Sequence, residues 1–163
     1  MPQLIKDGGI VTDDWQLIEA VEASAALPSG KLILPISAWE ANAPTANKNV
    51  GVWLDGDTDL VPIGKDIASL PLIAIRFPGF MDGRGFSTGR LLRERYQFSG
   101  ELRAIGHIIR DQLCYLRRCG FNAFQFNEPD TDLQAALASL NDFQEYYQAA
   151  VDEPLPLFRR RRA

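Results

Sequence analysis

Five apolar runs punctuate the chain at nearly regular intervals, and the segments between them have helical or turn-forming patterns. The runs are KLILPI (31–36), NVGVWLD (49–55), LPLIAIRF (70–77), GELRAIG (100–106) and FNAFQF (121–126). LIAI and VGVWL are continuous and do not alternate, the pattern of strands covered on both faces. Strands alternating with helices at this spacing build βαβ units and a parallel sheet. SAWEANAP offers a brief helix or turn, and Gly64 to Leu70 can hold another short helix. A further helix is expected from about Ser87 to Tyr96, and one over 107–120, closed by Gly120 as its C′ residue. DTDLQAALASLNDFQEYYQAAV reads as a long helix with Leu133, Leu137, Leu140, Phe143 and Tyr147 along one side.

Before these units, LIKDGGIV (4–11) reads as a short hairpin turning at Asp7-Gly8-Gly9. The next segment, TDDWQLIEAVEASAAL, is either a helix capped by Thr12 or partly extended. The expected fold is α/β: a mainly parallel sheet of about five strands with alternating helices, doubly wound or half-barrel-like, preceded by the hairpin. Residues 1–150 are expected to form one domain. Residues 151–163, with two prolines and the arginine block Arg159 to Arg162, are expected to be an extended or mobile tail.

Composition changes this picture in three ways. First, no run of about eighteen apolar residues occurs and MPQLIKDGGIV lacks a signal-peptide pattern, so a cytoplasmic protein without a membrane span is expected. Second, Cys114 and Cys119 are five apart in one predicted helix, about 140° apart around its axis, which suits neither a disulfide nor joint metal ligation. His107 is the single histidine, and no metal site is expected. Third, the net charge of −4 is unevenly spread. Residues 84–118 hold eight arginines against Glu94, Glu101 and Asp111. A central basic segment in an acidic protein suggests a local anion or partner surface and argues against nucleic-acid binding.

In a parallel α/β sheet, ligands gather beyond the carboxyl ends of the strands. The richest such loop is FPGFMDGRGFSTGRLLR (77–93). Its glycines permit positive φ and close approach, Ser87 is placed to cap the following helix, and Arg84 and Arg90 add charge, so a small oxyanion is the expected ligand. Asp82, His107 and Asp111 are candidate proton handlers. Arg110, Arg117 and Arg118 fall with Cys114 on one helical face, a candidate docking stripe opposite Ile109, Leu113 and Leu116. GxGxxxG at 83–89 is a weak match to a dinucleotide fingerprint, and GxxxxGK[ST] is absent, so no cofactor is expected. DGDTD (55–59) lacks the later ligands of a calcium loop and reads as an acidic loop and cap.

The DGRGFS, GELRAIG and RDQLCYLRRCGF portions, within a similarity spanning most of residues 31–149, resemble a bacterial domain-of-unknown-function family. Its members are labelled as oxidoreductases involved in sulfite reduction. The resemblance implies a role in assimilatory sulfite reduction beside a sulfite/nitrite reductase haemoprotein, and it carries no active site over to particular residues. Because no flavin, nicotinamide, iron–sulfur or haem pattern is present, the expectation is an accessory protein whose partner holds the redox chemistry. The rival expectation is a small α/β enzyme acting on an anionic metabolite.

Overall fold

The computed structural model describes residues 2–21, 27–42 and 48–160. Its strands are β1 (Gln3–Lys6), β2 (Gly9–Thr12), β3 (Trp15–Leu17), β4 (Lys31–Pro35), β5 (Val50–Asp55), β6 (Leu72–Phe77), β7 (Glu101–Gly106) and β8 (Ala123–Phe124). The helices are α1 (Ile36–Asn42), α2 (Gly64–Ile67), α3 (Arg84–Glu94), α4 (Leu113–Arg118), α5 (Leu133–Ser139) and α6 (Leu157–Arg160), with a 3₁₀ turn at Arg110–Gln112. All strands join one sheet in the order β2-β1-β8-β7-β6-β5-β4-β3. The five apolar runs became β4 to β8. The sheet exceeds about five strands because the hairpin belongs to it and because Trp15–Leu17 adds β3, which is too short to stand out by pattern.

Strand order decides between the two architectures that the sequence left open. From β3 to β8 each strand lies parallel beside its successor, and every crossover steps in the same direction. Crossovers of one hand then place all connecting helices on one face. That face carries Val52, Leu54, Ile73, Ile75, Phe77, Leu102 and Phe124 against Ile67, Leu92, Leu113, Leu116, Ala136 and Leu140 of the helices. The alternate residues Ile33, Trp53, Leu72, Ala74 and Ile105 form a second core on the opposite face with Trp15 and Leu17. The sheet is therefore singly wound and curled like a half-barrel, and the doubly wound alternative is corrected.

The hairpin is antiparallel, with Lys6 opposite Gly9. Its two-residue loop has φ of 49° at Asp7 and 79° at Gly8, the left-handed pair that a tight hairpin of this length favours. Asp7 N–H donates to the Asn122 carbonyl at 2.8 Å, and Asn122 Nδ2 donates to Asp7 Oδ1 at 2.8 Å. β1 then pairs antiparallel with β8, Ile5 opposite Phe124.

β2 and β3 are the two edges of the sheet, yet only Asp13 and Asp14 separate them in the chain. Three Cα steps cover at most about 11 Å, so the sheet has to curl until its edges nearly meet. A buried network holds this closure. Arg103, on the inner face of β7 and 1% exposed, donates to Asp13 at 2.7 and 3.1 Å, to Glu101 at 2.8 Å and to Gln125 at 3.0 Å. Lys6 reaches the second Glu101 oxygen at 2.7 Å. Two cations meet two carboxylates, so the network is neutral.

Helix boundaries depart from the sequence pattern where tertiary contacts intervene. The long helix expected from DTDLQAALASLNDFQEYYQAAV is only α5, which ends at Ser139, and Phe143 and Tyr147 are exposed instead of continuing its apolar side. Beyond Leu140 the chain crosses to α4, where Arg118 donates to the Gln148 carbonyl at 2.5 Å and Val151 N–H donates to the Arg118 carbonyl at 3.0 Å. Thr12 ends β2 and caps no helix; residues 22–26 lie outside the described residues. Gly120 is the C′ residue of α4 as expected, at φ +99°. The Gly120 N–H bonds to the Arg117 carbonyl and the Phe121 N–H to the Leu116 carbonyl, both bonds of a Schellman motif.

Asp13→Ala should lower the free energy of unfolding in urea by about 3–5 kcal/mol, because it strands the Arg103 charge inside the curl. The double variant Asp13→Leu/Arg103→Met should lose less than Asp13→Ala alone.

Candidate functional site

Three loops meet at the carboxyl ends of β5, β6 and β7. Gly106, at φ +92°, brings β7 against β6: a Cβ there would lie 2.5 Å from the Phe77 carbonyl oxygen, and His107 N–H donates to that oxygen at 2.9 Å. Gln112 Nε2 donates to the Phe80 carbonyl at 3.4 Å. Thr88 Oγ1 donates to the Gly56 carbonyl at 2.6 Å. The cluster is thus one rigid end of the sheet.

Two glycines of the 77–93 stretch, Gly85 and Gly89, have a packing role. Gly79, Gly83, Gly85 and Gly89 all have negative φ. A Cβ on Gly85 would lie 2.7 Å from the Phe77 ring, and one on Gly89 would lie 2.4 Å from the Phe121 ring. Gly56 would meet the Gly85 nitrogen at 2.6 Å. Gly85, Gly89 and Gly56 let α3 lie directly on β6 and on the β5–α2 loop, whereas a Cβ on Gly79 or Gly83 would meet nothing closer than 4.0 Å.

Helix α3 starts three residues earlier than expected. Asp82 Oδ1 accepts from the Arg84 N–H at 3.1 Å and from Arg84 Nε at 2.9 Å, while Arg84 Nη2 reaches Asp82 Oδ2 at 2.6 Å. Gly83 is the N-cap residue, and Ser87 lies inside the helix with no capping role. Arg84 Nη1 also donates to Asp57 at 2.6 Å, so two carboxylates already surround this guanidinium. Arg84 holds the Asp82 carboxyl down at about 2 against an ordinary 3.8, through side-chain and then backbone hydrogen bonds; the same contacts raise Arg84. Arg90 pairs with Glu94 at 2.9 Å, one helical turn away.

The structure does not bring Asp82, His107 and Asp111 into contact with one another. Among the described residues none is hydrogen-bonded or ion-paired to another; His107 is exposed and Asp111 faces Arg110 at 3.6 Å. The acids of DGDTD are divided among separate partners: Asp55 with Arg76 at 2.9 Å, Asp57 with Arg84, and Asp59 accepting the Val61 N–H at 2.9 Å.

The arginine stripe is also divided. Arg110 is exposed on the 3₁₀ turn. Arg117 is half-buried, with Nη1 donating to Asn141 Oδ1 at 3.3 Å. Arg118 is buried, its guanidinium 3.9 Å from the Tyr146 ring and its Nε 3.7 Å from Asp152, so it is not the surface cation that was expected. Cys114 is likewise buried, against the Tyr146 hydroxyl, whereas Ile109 is exposed. Both thiols are free, and burial pushes Cys119 up, away from reactive thiolate character. Two further arginines turn inward: Arg93 donates to the Gly120, Phe98 and Gly100 carbonyls and to Asn122 at 2.6–3.1 Å, and Arg103 closes the sheet.

What the sequence reading missed is apolar. Met81 is 90% exposed and Phe80 55%, both in the loop that the Gln112 bond fastens. Nearby, Phe77, Phe86 and Tyr115 form a chain of rings with centroids 5.3 and 5.0 Å apart, running from the core to Tyr115 at the surface. Exposed Ile109 and Arg110 flank Gln112. Two large apolar residues inside a glycine-rich loop were the available signal. A second unread cluster lies on the inner face: Arg76 stacks 3.9 Å from the Trp53 ring between Asp55 and Glu19.

Fold and site together define an α/β protein with a singly wound, curled sheet closed by an N-terminal hairpin, and with an apolar, arginine-flanked loop surface at its carboxyl end. Among the described residues no helix is long and apolar enough to cross a membrane. The chain belongs to the family described as bacterial protein of unknown function (DUF934), whose model matches residues 51–158, from β5 through α6. No curated protein matches the sequence.

The Asp82 carboxyl should titrate at about 2 when its side-chain carbon resonance is followed by NMR. Arg84→Met should return it toward 3.8. The sign follows from the depressed value: the Asp82–Arg84 contact contributes fully above pH ~4 and is lost as the pH falls through ~2.

Proposed function

We propose that the protein is an accessory component of assimilatory sulfite reduction that docks on a sulfite/nitrite reductase haemoprotein and leaves the redox chemistry to that partner. The observation that carries docking is the exposed Phe80–Met81 pair on a fixed loop, beside Tyr115, Ile109 and Arg110. Large apolar side chains exposed to water suit a partner that buries them, at about 1.5–3 kcal/mol for each side chain fully covered. Arg110 on the rim supplies orientation and encounter rate more than affinity. The choice of partner rests on the family resemblance of the DGRGFS, GELRAIG and RDQLCYLRRCGF portions.

An oxyanion at residues 82–90 has a lesser place in this reading. It would compete with Asp57 and Asp82 for Arg84 and with Glu94 for Arg90. The same competition counts against an enzyme that grips an anionic metabolite through Arg84.

Deletion of the gene without polar effects should abolish growth on sulfate and on sulfite while leaving growth on sulfide and cysteine intact. Normal growth on all four would remove sulfite reduction from the reading. In the complemented strain, Met81→Asp should reduce co-purification with the haemoprotein at least about tenfold without changing the melting temperature. Undiminished co-purification would move the docking surface elsewhere.

A further inference from the structure

At the opposite, amino-terminal end of the parallel strands, a cleft of about 450 Å³ opens between the hairpin turn, the start of β8 and α5. Its size falls within the roughly 300–1,000 Å³ typical of small-molecule sites. Phe121, Phe124, Leu137 and Leu140 give it an apolar lining, and Arg117 and Asp7 contribute the charges.

Arg117 differs from its neighbours in sequence. Arg84, Arg90, Arg103, Arg110 and Arg118 each have a carboxylate within 4.0 Å, Arg93 donates to four oxygen acceptors, and Arg95, which like Arg117 has no carboxylate within 4.0 Å among the described residues, lies against the Tyr96 ring and away from the cleft. Arg117 has no carboxylate within 4.0 Å among the described residues; its one side-chain bond goes to the neutral amide oxygen of Asn141 at 3.3 Å. A half-buried arginine on an apolar cleft, with most of its guanidinium donors unused, fits a ligand carboxylate, which it can take in a bidentate pair. Asp7 restricts the choice. It has no cation within 4.0 Å among the described residues and accepts only from Asn122 Nδ2, so its negative charge in the same cleft disfavours a second anionic group on the ligand.

We propose that this cleft binds a small monocarboxylate with an apolar body, its carboxylate on Arg117 and its chain along Phe121, Phe124 and Leu137. This site lies at the other end of the strands from the Phe80–Met81 surface, and the proposal stands independently of the docking reading. The test is a titration of the full chain with hexanoate, followed by amide NMR shifts, with hexanol and adipate as comparison probes. Saturable shifts at residues around the cleft are expected with hexanoate. Hexanol, without the charge, and adipate, with a second carboxylate for Asp7 to repel, should each bind at least about tenfold more weakly. Arg117→Met, which keeps the apolar stem, should weaken hexanoate by a similar factor. Ala138→Phe, at an exposed position on the cleft wall, should block it. Equal binding of hexanoate and hexanol, undiminished binding by Arg117→Met, or no saturable shift at the cleft would each overturn the proposal.

Discussion

The structure depends on a short tether. Strands at opposite edges of an eight-stranded sheet are joined by Asp13 and Asp14 alone, and no flat or gently twisted sheet can satisfy that connection. Curling follows, and with it an inner face that water leaves and that Ile33, Trp53, Leu72, Ala74 and Ile105 fill. Arg103 is tolerated there because Asp13 and Glu101 neutralise it and Gln125 accepts a further bond. A buried ion pair of this kind is a weak source of net stability but a strong discriminator, since any register that separates its members leaves an unpaired charge in the interior. The network therefore specifies where the edges meet more than it strengthens the meeting.

The central basic segment, which looks like a single surface in the sequence, is spread over several structural tasks. Arg93 ties the end of α4 to the segment between α3 and β7, Arg118 fixes the chain after α5, Arg103 sits inside the curl, and Arg84 and Arg90 stay with neighbouring carboxylates. What remains outward at the carboxyl end of the sheet is the apolar group Phe80, Met81 and Ile109, with Arg110 beside it and the paired Arg84 and Asp57 nearby. Charge density along a chain is a poor guide to charge density on a surface when long cationic side chains can reach across elements.

The legible parts of the fold were those determined locally. Burial on both faces leaves continuous apolar runs, so β4 to β8 could be read directly, and Asp7-Gly8 marked the hairpin through its left-handed backbone. Gly120 marked a helix end for the same reason. Strand order, the three-residue β3 and the early end of α5 depend on partners distant in the chain, which no window records. The candidate loop shows the same limit. Gly85 and Gly89 have the spacing of a ligand loop, but the atoms pressing on them are the rings of Phe77 and Phe121. The Asp57 partner of Arg84 is 27 residues away and the Asp13 partner of Arg103 is 90 residues away, so neither pairing shows in a local stretch of sequence.

The pairing of β1 with β8 also governs the order in which the molecule can be made. Residues 3–6 leave the ribosome first, but Ala123 and Phe124 follow more than a hundred residues later, on the order of ten seconds at ordinary elongation rates. Until then the helix-covered strands can form one after another from neighbouring contacts, while the hairpin has no sheet edge to join. The sheet is thus completed by its earliest-synthesised strands, through a contact of the long sequence separation that slows folding in general.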